Sequence, residues 1–418
     1  MSSVIKHRPQ RDFLGDPSRF KFLLTGRRGG KTIGIVEDGL KSIAACPDNG
    51  EIFYIGPTNQ IAKEIVWEAF EDRLDELGWD FKPRPSKSRF EFSRKRKLYV
   101  IGAEKIRRIR GHKVFKVYLD EVAFYSTSLK KVWRAVRPAL SDLRGGAIVA
   151  TTPDGKNSEA YDFYKGILQK KNWKYFYWTT ADNPFISRDE IEEARQDLDE
   201  KSFLQEYFAT WESYEGLAYF AFNENRHLKP CREFVKDVPW FLTLDFNVNP
   251  TTLLVGQRID GMVKFRREYS QKNSSTLQTM KTFCEEWKHL KETIFLEIHG
   301  DAAGHGRNSA TGWSDYHYVQ EVLREYGFQF KLFIPGVNPA IVDRVAHVNA
   351  WLTNAKGDSR VEIDPSCIDL SRDLSSQELA GRHPSDKNNL GHKADAMGYY
   401  ISWHQILESR RPNKTHEL

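Results

Sequence analysis

Eight residues near the amino terminus, Thr25-Gly26-Arg27-Arg28-Gly29-Gly30-Lys31-Thr32, have the composition of a loop that wraps a phosphate chain. Glycines let successive backbone N–H groups turn inward on an anion, and the start of a helix adds its dipole at the same point. In such a loop Lys31 reaches the outer phosphates and the Thr32 hydroxyl faces Mg2+. The general pattern has glycine where this chain has Thr25, with Gly26 one place late. About ninety residues on, Phe115–Leu119 runs into Asp120-Glu121, adjacent acids of which one can hold a metal's water shell and the other polarise an attacking water. A third apolar run ends on Ala150-Thr151-Thr152-Pro153, placing small hydroxyls where a terminal phosphate could be sensed. Together the three stretches point to ATP hydrolysis with Mg2+.

The second half carries a different set of acids: Asp245 in an apolar run, Asp301 in EIHGDAAGHGR and Asp395 in GHKADAMGYY. Acids embedded in apolar segments are expensive unless a metal or cation meets them. Three converging carboxylates make a hard oxygen site for Mg2+ or Mn2+, and such a site can activate water against a phosphodiester. Glu268 and His305 are two further candidates for it.

The elements that must position these residues are legible in outline. Phe20–Leu24, Glu51–Ile55, Val114–Leu119, Ala147–Ala150 and Trp173–Trp178 read as strands. The three- and four-residue spacing of Ile61, Ile65, Ala69 and of Val66, Phe70, Leu74, Leu77 makes a helix between them. This alternation is that of an α/β domain with a parallel sheet. The second half opens with Phe241–Phe246, Thr252–Gln257 and Met262–Glu268, the last two joined by the hairpin dipeptide Asp260-Gly261. A helix over 274–291, a strand over 294–299, a helix around 315–326, a strand over 328–334 and two or three more helices follow. That is the order of a ribonuclease-H-like domain. The expected boundaries are residues 1–212 and 238–418, with 213–237 as the junction.

A chain of 418 residues with 40% hydrophobic and 13% aromatic residues has apolar surface for two cores. With a mean hydropathy of −0.60 and no apolar run near the membrane-spanning length, no membrane segment is expected. Cys46, Cys231, Cys284 and Cys367 form no CxxC pair, so neither a zinc ribbon nor a disulfide framework is indicated. The net charge is a mild +6, yet residues 84–113 alone carry twelve Lys or Arg against Glu91 and Glu104. A cluster that dense can neutralise several phosphates of a nucleic acid. Phe90–Phe92 and Leu98–Ile101, around the turn 93–97, give it the form of a basic hairpin.

Taken together, GRRGGKT, VYLDE, ATTP, LTLDFNVNP, IHGDA and HKADAMGYY, in that order, resemble the large terminase subunit of tailed bacteriophages, whose phosphate loop usually has the same one-residue shift. The resemblance implies a P-loop ATPase of the ASCE/RecA-like class followed by a ribonuclease-H-like nuclease. It implies that Gly26 to Thr32 and Asp120 hold ATP and its Mg2+, that Glu121 is the catalytic base, and that Arg28 contacts the γ-phosphate. Thr151 and Thr152 match a motif coupling hydrolysis to movement, Gln10 an adenine-sensing glutamine, and Arg110 an arginine finger for a neighbouring subunit. Asp245, Asp301 and Asp395 carry over as the nuclease triad. The implied partners are double-stranded DNA, a portal protein, a small terminase subunit and further copies in a ring, in the host cytoplasm. A helicase or translocase whose second domain only holds DNA is the rival enzyme reading. A nucleotide-switched assembly factor is the non-enzymatic one, and the Asp120-Glu121 pair argues against it.

Overall fold

The computed structural model describes residues 7–156, 158–212, 216–246, 251–271, 274–307, 312–381, 383–385 and 390–409. They form two compact units, one of residues up to 193 with 201–213, the other of 194–200 with 214 onward.

In the first unit six strands run parallel. They are β1 (Phe20–Thr25), β2 (Glu51–Gly56), β5 (Lys97–Gly102), β6 (Val114–Leu119), β7 (Gly146–Thr151) and β8 (Trp173–Trp178), and β3 (Phe81–Arg84) and β4 (Arg89–Phe92) extend one edge antiparallel. The order is β3-β4-β5-β2-β6-β7-β1-β8. Side chains alternate between faces along each strand, so Phe20, Phe22 and Leu24 join one core while Leu23 joins the other. Both faces are covered, which is why β1 and β2 read as unbroken buried runs. Because β6, β7 and β1 are parallel neighbours, Thr25, Asp120 and Thr151 all arrive at one edge of the sheet, where an open α/β sheet binds ligands. The ninety residues between loop and acids collapse into two strand spacings.

The hairpin at the other edge is more structural than its charge predicts. Arg84 and Arg89 pair with Glu91, the Arg96 guanidinium donates to Ile43 O at 2.8 Å, and Lys97 meets Glu51 at 3.0 Å. Lys87, Lys95, Arg107, Arg108, Arg110 and Lys113 are exposed.

The second unit is built on β9 (Trp240–Asp245), β10 (Thr251–Ile259) and β11 (Met262–Gln271), an antiparallel meander. β12 (Phe295–Gly300) pairs parallel with β9, and β13 (Gln329–Leu332) with β12. This is a ribonuclease-H-like sheet. A sixth strand absent from the sequence reading, β14 (Val361–Ile363), lies parallel to β11. Three residues carry too little periodicity to announce it. The helix His392–Ser409 lies against β9, β10 and β12, pinned by the Thr243 hydroxyl donating to Ala396 O at 2.6 Å and by Tyr400 stacked on Phe241 at 3.8 Å.

Of the expected junction 213–237, residues 216–237 contribute to this unit: Ala218 and Tyr219 are buried in its core, and His227 Nε2 lies 2.8 Å from Leu352 O. Among the described residues no helix is long and apolar enough to cross a membrane.

Candidate functional sites

The Gly26–Gly30 loop links β1 to the helix Lys31–Ala45 and is held from outside at every turn. Gly26 N–H donates to Trp178 O and the Trp178 indole N–H to Gly29 O at 2.8 Å. Thr180 and Asn183 donate to the carbonyls of Arg27 and Arg28. Gly30 has φ 84°, and a Cβ there would strike the Gln10 amide. Gln10 itself, expected to sense adenine, is buried. Its amide donates to Gly30 O at 2.7 Å and accepts from His7 N–H at 3.3 Å, so it braces the loop. These supports come from Trp178, Asn183 and His7, which the sequence reading did not single out. The Trp178 position at the end of a strand bound for the same edge was the available signal.

Lys31, only 6% exposed, places its ammonium 2.9 Å from Asp120 Oδ1 and 2.6 Å from Glu121 Oε1. Burial opposes that charge, but the two carboxylates outweigh it and raise the lysine's pKa. Asp120 is buried and also accepts from Tyr54 O–H at 2.8 Å and from Glu121 N–H at 2.9 Å. Glu121 has φ 55°, and its Oε2 lies 3.4 Å from Thr152 N. Arg28, on the loop, has φ 60°. Left-handed backbone at two non-glycine residues around one cleft is strain of the kind functional sites hold.

That cleft has a volume of about 500 Å3 and is lined by the loop, Lys31, Thr32, Glu121, Thr152, Asn183 and Glu206. Arg27 turns to Glu206 at 3.3 Å, and burial raises the pKa of Glu206 against the pull of Arg27. Thr151 stands behind Thr152, accepting from Ala123 N–H. Arg110 lies outside the cleft. It precedes β6, next to His112 and Lys113, which are tied to Glu51 at the start of β2. Roughly 20 Å of strand separates that edge from Asp120.

Residues 22–226 match the model of the terminase large subunit, T4likevirus type, N-terminal family. Over these residues the chain resembles the large terminases. A curated large terminase subunit of Escherichia phage T5 is 27% identical over 240 residues, 55% of this chain and 53% of that protein, so the match spans about half its relative's length. The large terminase of a thermophilic bacteriophage shares the fold at 17% identity, covering 95% of this chain and 98% of that one with a TM-score of 0.61. The same thermophilic-phage protein in complex with ATP-gamma-S superposes with a TM-score of 0.59 at 18% identity, again over 95% of this chain and 98% of that one.

The second unit brings the three expected acids into one neighbourhood. Gly300 pairs with Leu244, and Asp301 N–H donates to Leu244 O, setting Asp301 beside Asp245. Gly300 has φ 149° with Leu244 O close behind, a turn no side chain could make. Burial and the nearby Asp245 raise the pKa of Asp395, against Arg344. The Tyr399 hydroxyl is pushed up by burial and by all three acids, against Arg344. Each carboxylate has its own protein partner: His392 at 3.0 Å from Asp245, Asn338 at 2.6 Å from Asp301, Arg344 at 2.5 Å from Asp395. Among the described residues no three His, Cys, Asp or Glu side chains are grouped to hold one metal ion. The donor chemistry suits a hard divalent ion, and in this arrangement each carboxylate is engaged by a protein partner.

Glu268 does not join the set. Its carboxylate accepts the N–H groups of Asp369 and Leu370 and so caps the helix Ile368–Ser376. His305 is exposed, its ring against Tyr316 at 4.9 Å. Residue type near a strand end does not distinguish a ligand from a cap.

Proposed function

We propose that this chain is a viral DNA-packaging motor subunit that hydrolyses ATP to drive double-stranded DNA through a portal protein into a procapsid, and whose second unit cuts concatemeric DNA by metal-dependent phosphodiester hydrolysis. The observation carrying the motor reading is Lys31, which bridges the glycine loop and the Asp120-Glu121 pair through one buried ammonium. Lys31 exchanges these contacts for phosphate oxygens of ATP. Asp120 and Thr32 are then the residues to hold Mg2+, and Glu121 orients the attacking water. The metal supplies neutralisation of phosphate charge. Arg27 and Arg28 line the cleft, with Arg28 the candidate for the γ-phosphate. Thr151 and Thr152 link the state of Glu121 to β7. Gln10 holds the loop and, through it, couples to the adenine. Arg110, at the opposite sheet edge, serves a neighbour's ATP in a homo-oligomeric ring. A small terminase subunit would select the DNA.

Glu121→Gln tests this. The variant is expected to bind ATP at wild-type affinity while hydrolysis falls by roughly 10² to 10⁴. Hydrolysis at the parent rate would reject the assignment.

For the second unit, Asp245, Asp301 and Asp395 would hold Mg2+ or Mn2+, which supplies an activated water. The separate partners of the three acids favour a second reading, a translocase whose second domain only holds DNA. Plasmid incubated with Mn2+ decides between them. Cutting by the parent but not by Asp301→Asn supports the nuclease, and none by either supports the translocase.

A further inference from the structure

The connection between β13 and the helix Ile341–Leu352, together with that helix, touches two of the three acids. Asn338 Nδ2 donates to Asp301 Oδ1 at 2.6 Å, and Asn338 Oδ1 accepts Ala302 N–H at 2.8 Å. The same Asp301 oxygen receives Ala303 N–H at 2.7 Å. The amide orientation follows from its neighbours, because reversal would set its oxygen against a carboxylate and its NH2 against an N–H. Six residues on, buried Arg344 reaches Asp395 and covers the Tyr399 ring at 4.5 Å. Pro335 and Pro339 fix the backbone on either side of Asn338.

Resting on the nuclease reading above, we propose that Asn338 is a positioning residue for the metal centre, setting the Asp301 carboxylate for a divalent cation. Two donors on Oδ1 fix the rotation of the carboxylate and turn Oδ2 to the side from which a cation can be met without loss of a hydrogen bond. The accepting half of the amide fixes the turn that follows β12, so the order of the ligand precedes metal binding. Outer partners of this kind typically change metal affinity by 10- to 100-fold. A brace of the turn alone would change stability and leave affinity untouched.

The test is Mn2+ titration calorimetry on the full chain, comparing the parent with Asp301→Asn, Asn338→Ala and Asn338→Leu, the last retaining bulk without donor or acceptor. Thermal melts without metal are run beside it. The expected result is Mn2+ uptake by the parent that Asp301→Asn removes and that both Asn338 variants weaken about 10- to 100-fold. Plasmid cutting by the Asn338 variants then recovers as Mn2+ is raised, which Asp301→Asn cannot do. Parent-like Mn2+ affinity in the Asn338 variants, with or without a lower melting temperature, overturns the positioning role. Mn2+ uptake unaffected by Asp301→Asn overturns the metal-centre reading and this proposal with it.

Discussion

Lys31 sits between two acids under a loop whose carbonyls are bonded to Thr180, Asn183, Trp178 and Gln10. The loop's shape depends on Gly30. A methyl group there would meet the Gln10 amide in a backbone region that L-residues avoid. Gly30→Ala is therefore expected to lower ATP affinity more than tenfold while far-UV circular dichroism stays that of the parent. Parent-like affinity would show that the loop does not need this turn. Glu121 is the complementary case: its left-handed backbone points a carboxylate into the cleft beside Thr152, while Asp120 stays buried behind it with Tyr54. Adjacent residues in one sequence thus acquire different environments.

At the scale of elements, the basic hairpin divides its cations between structure and solvent. Those bonded to Glu91, Ile43 and Glu51 build the sheet edge, whereas Arg107, Arg108, Arg110 and Lys113 remain open. Each exposed cation that meets a phosphate adds close to one unit to the salt dependence of DNA binding. Replacing Arg107, Arg108 and Lys113 by alanine is expected to reduce the slope of log affinity against log salt by about two to three. An unchanged slope would move DNA elsewhere. In the second unit the short helix Glu224–His227 is anchored by a buried imidazole between Asn223 and Leu352. Burial lowers its pKa below the ordinary 6.5, against the pull of its backbone hydrogen bonds. Above that value His227 is neutral folded or unfolded and the contribution is whole. As pH falls through it the unfolded chain takes the proton first, so stability declines until the lowered folded value is passed. Melting of the parent is expected to weaken as pH falls below about 6.5, with a shallower fall in His227→Gln. Equal slopes would assign the acid sensitivity to other groups.

Two units, each with its own sheet and core, predict separable chemistry. Asp301→Asn is expected to abolish cutting with ATP hydrolysis at the parent rate, and Lys31→Ala to abolish hydrolysis with cutting retained. Loss of both activities in either variant would mean that the centres are coupled. Arg110 lies outside the cleft of its own unit. On the proposed role in a neighbour's ATP site, an Arg110→Ala subunit mixed with a Lys31→Ala subunit is expected to recover hydrolysis in an assembled ring. No recovery at any ratio would count against action in trans.

The sequence by itself determined the strands of the two large sheets other than β3 and β14, their parallel and meandering order and the candidate residues of both sites, because these follow from local hydrophobic period, turn dipeptides and short motifs. It placed Lys31, Asp120, Glu121, Asp245, Asp301 and Asp395 without any knowledge of distance. Only the tertiary structure decided which donors complete each centre. Trp178, Asn183, Glu206 and Asn338 reach their sites from a strand, a helix and connections remote in the chain, and apart from the strand-end place of Trp178 nothing in their local spacing marks them. It also decided that Glu268 caps a helix, that Gln10 braces the loop and that half of the basic hairpin is architecture. The physical reason is that a hydrogen bond is settled within a few ångströms by packing, whereas local sequence patterns specify elements and leave open which of them become neighbours.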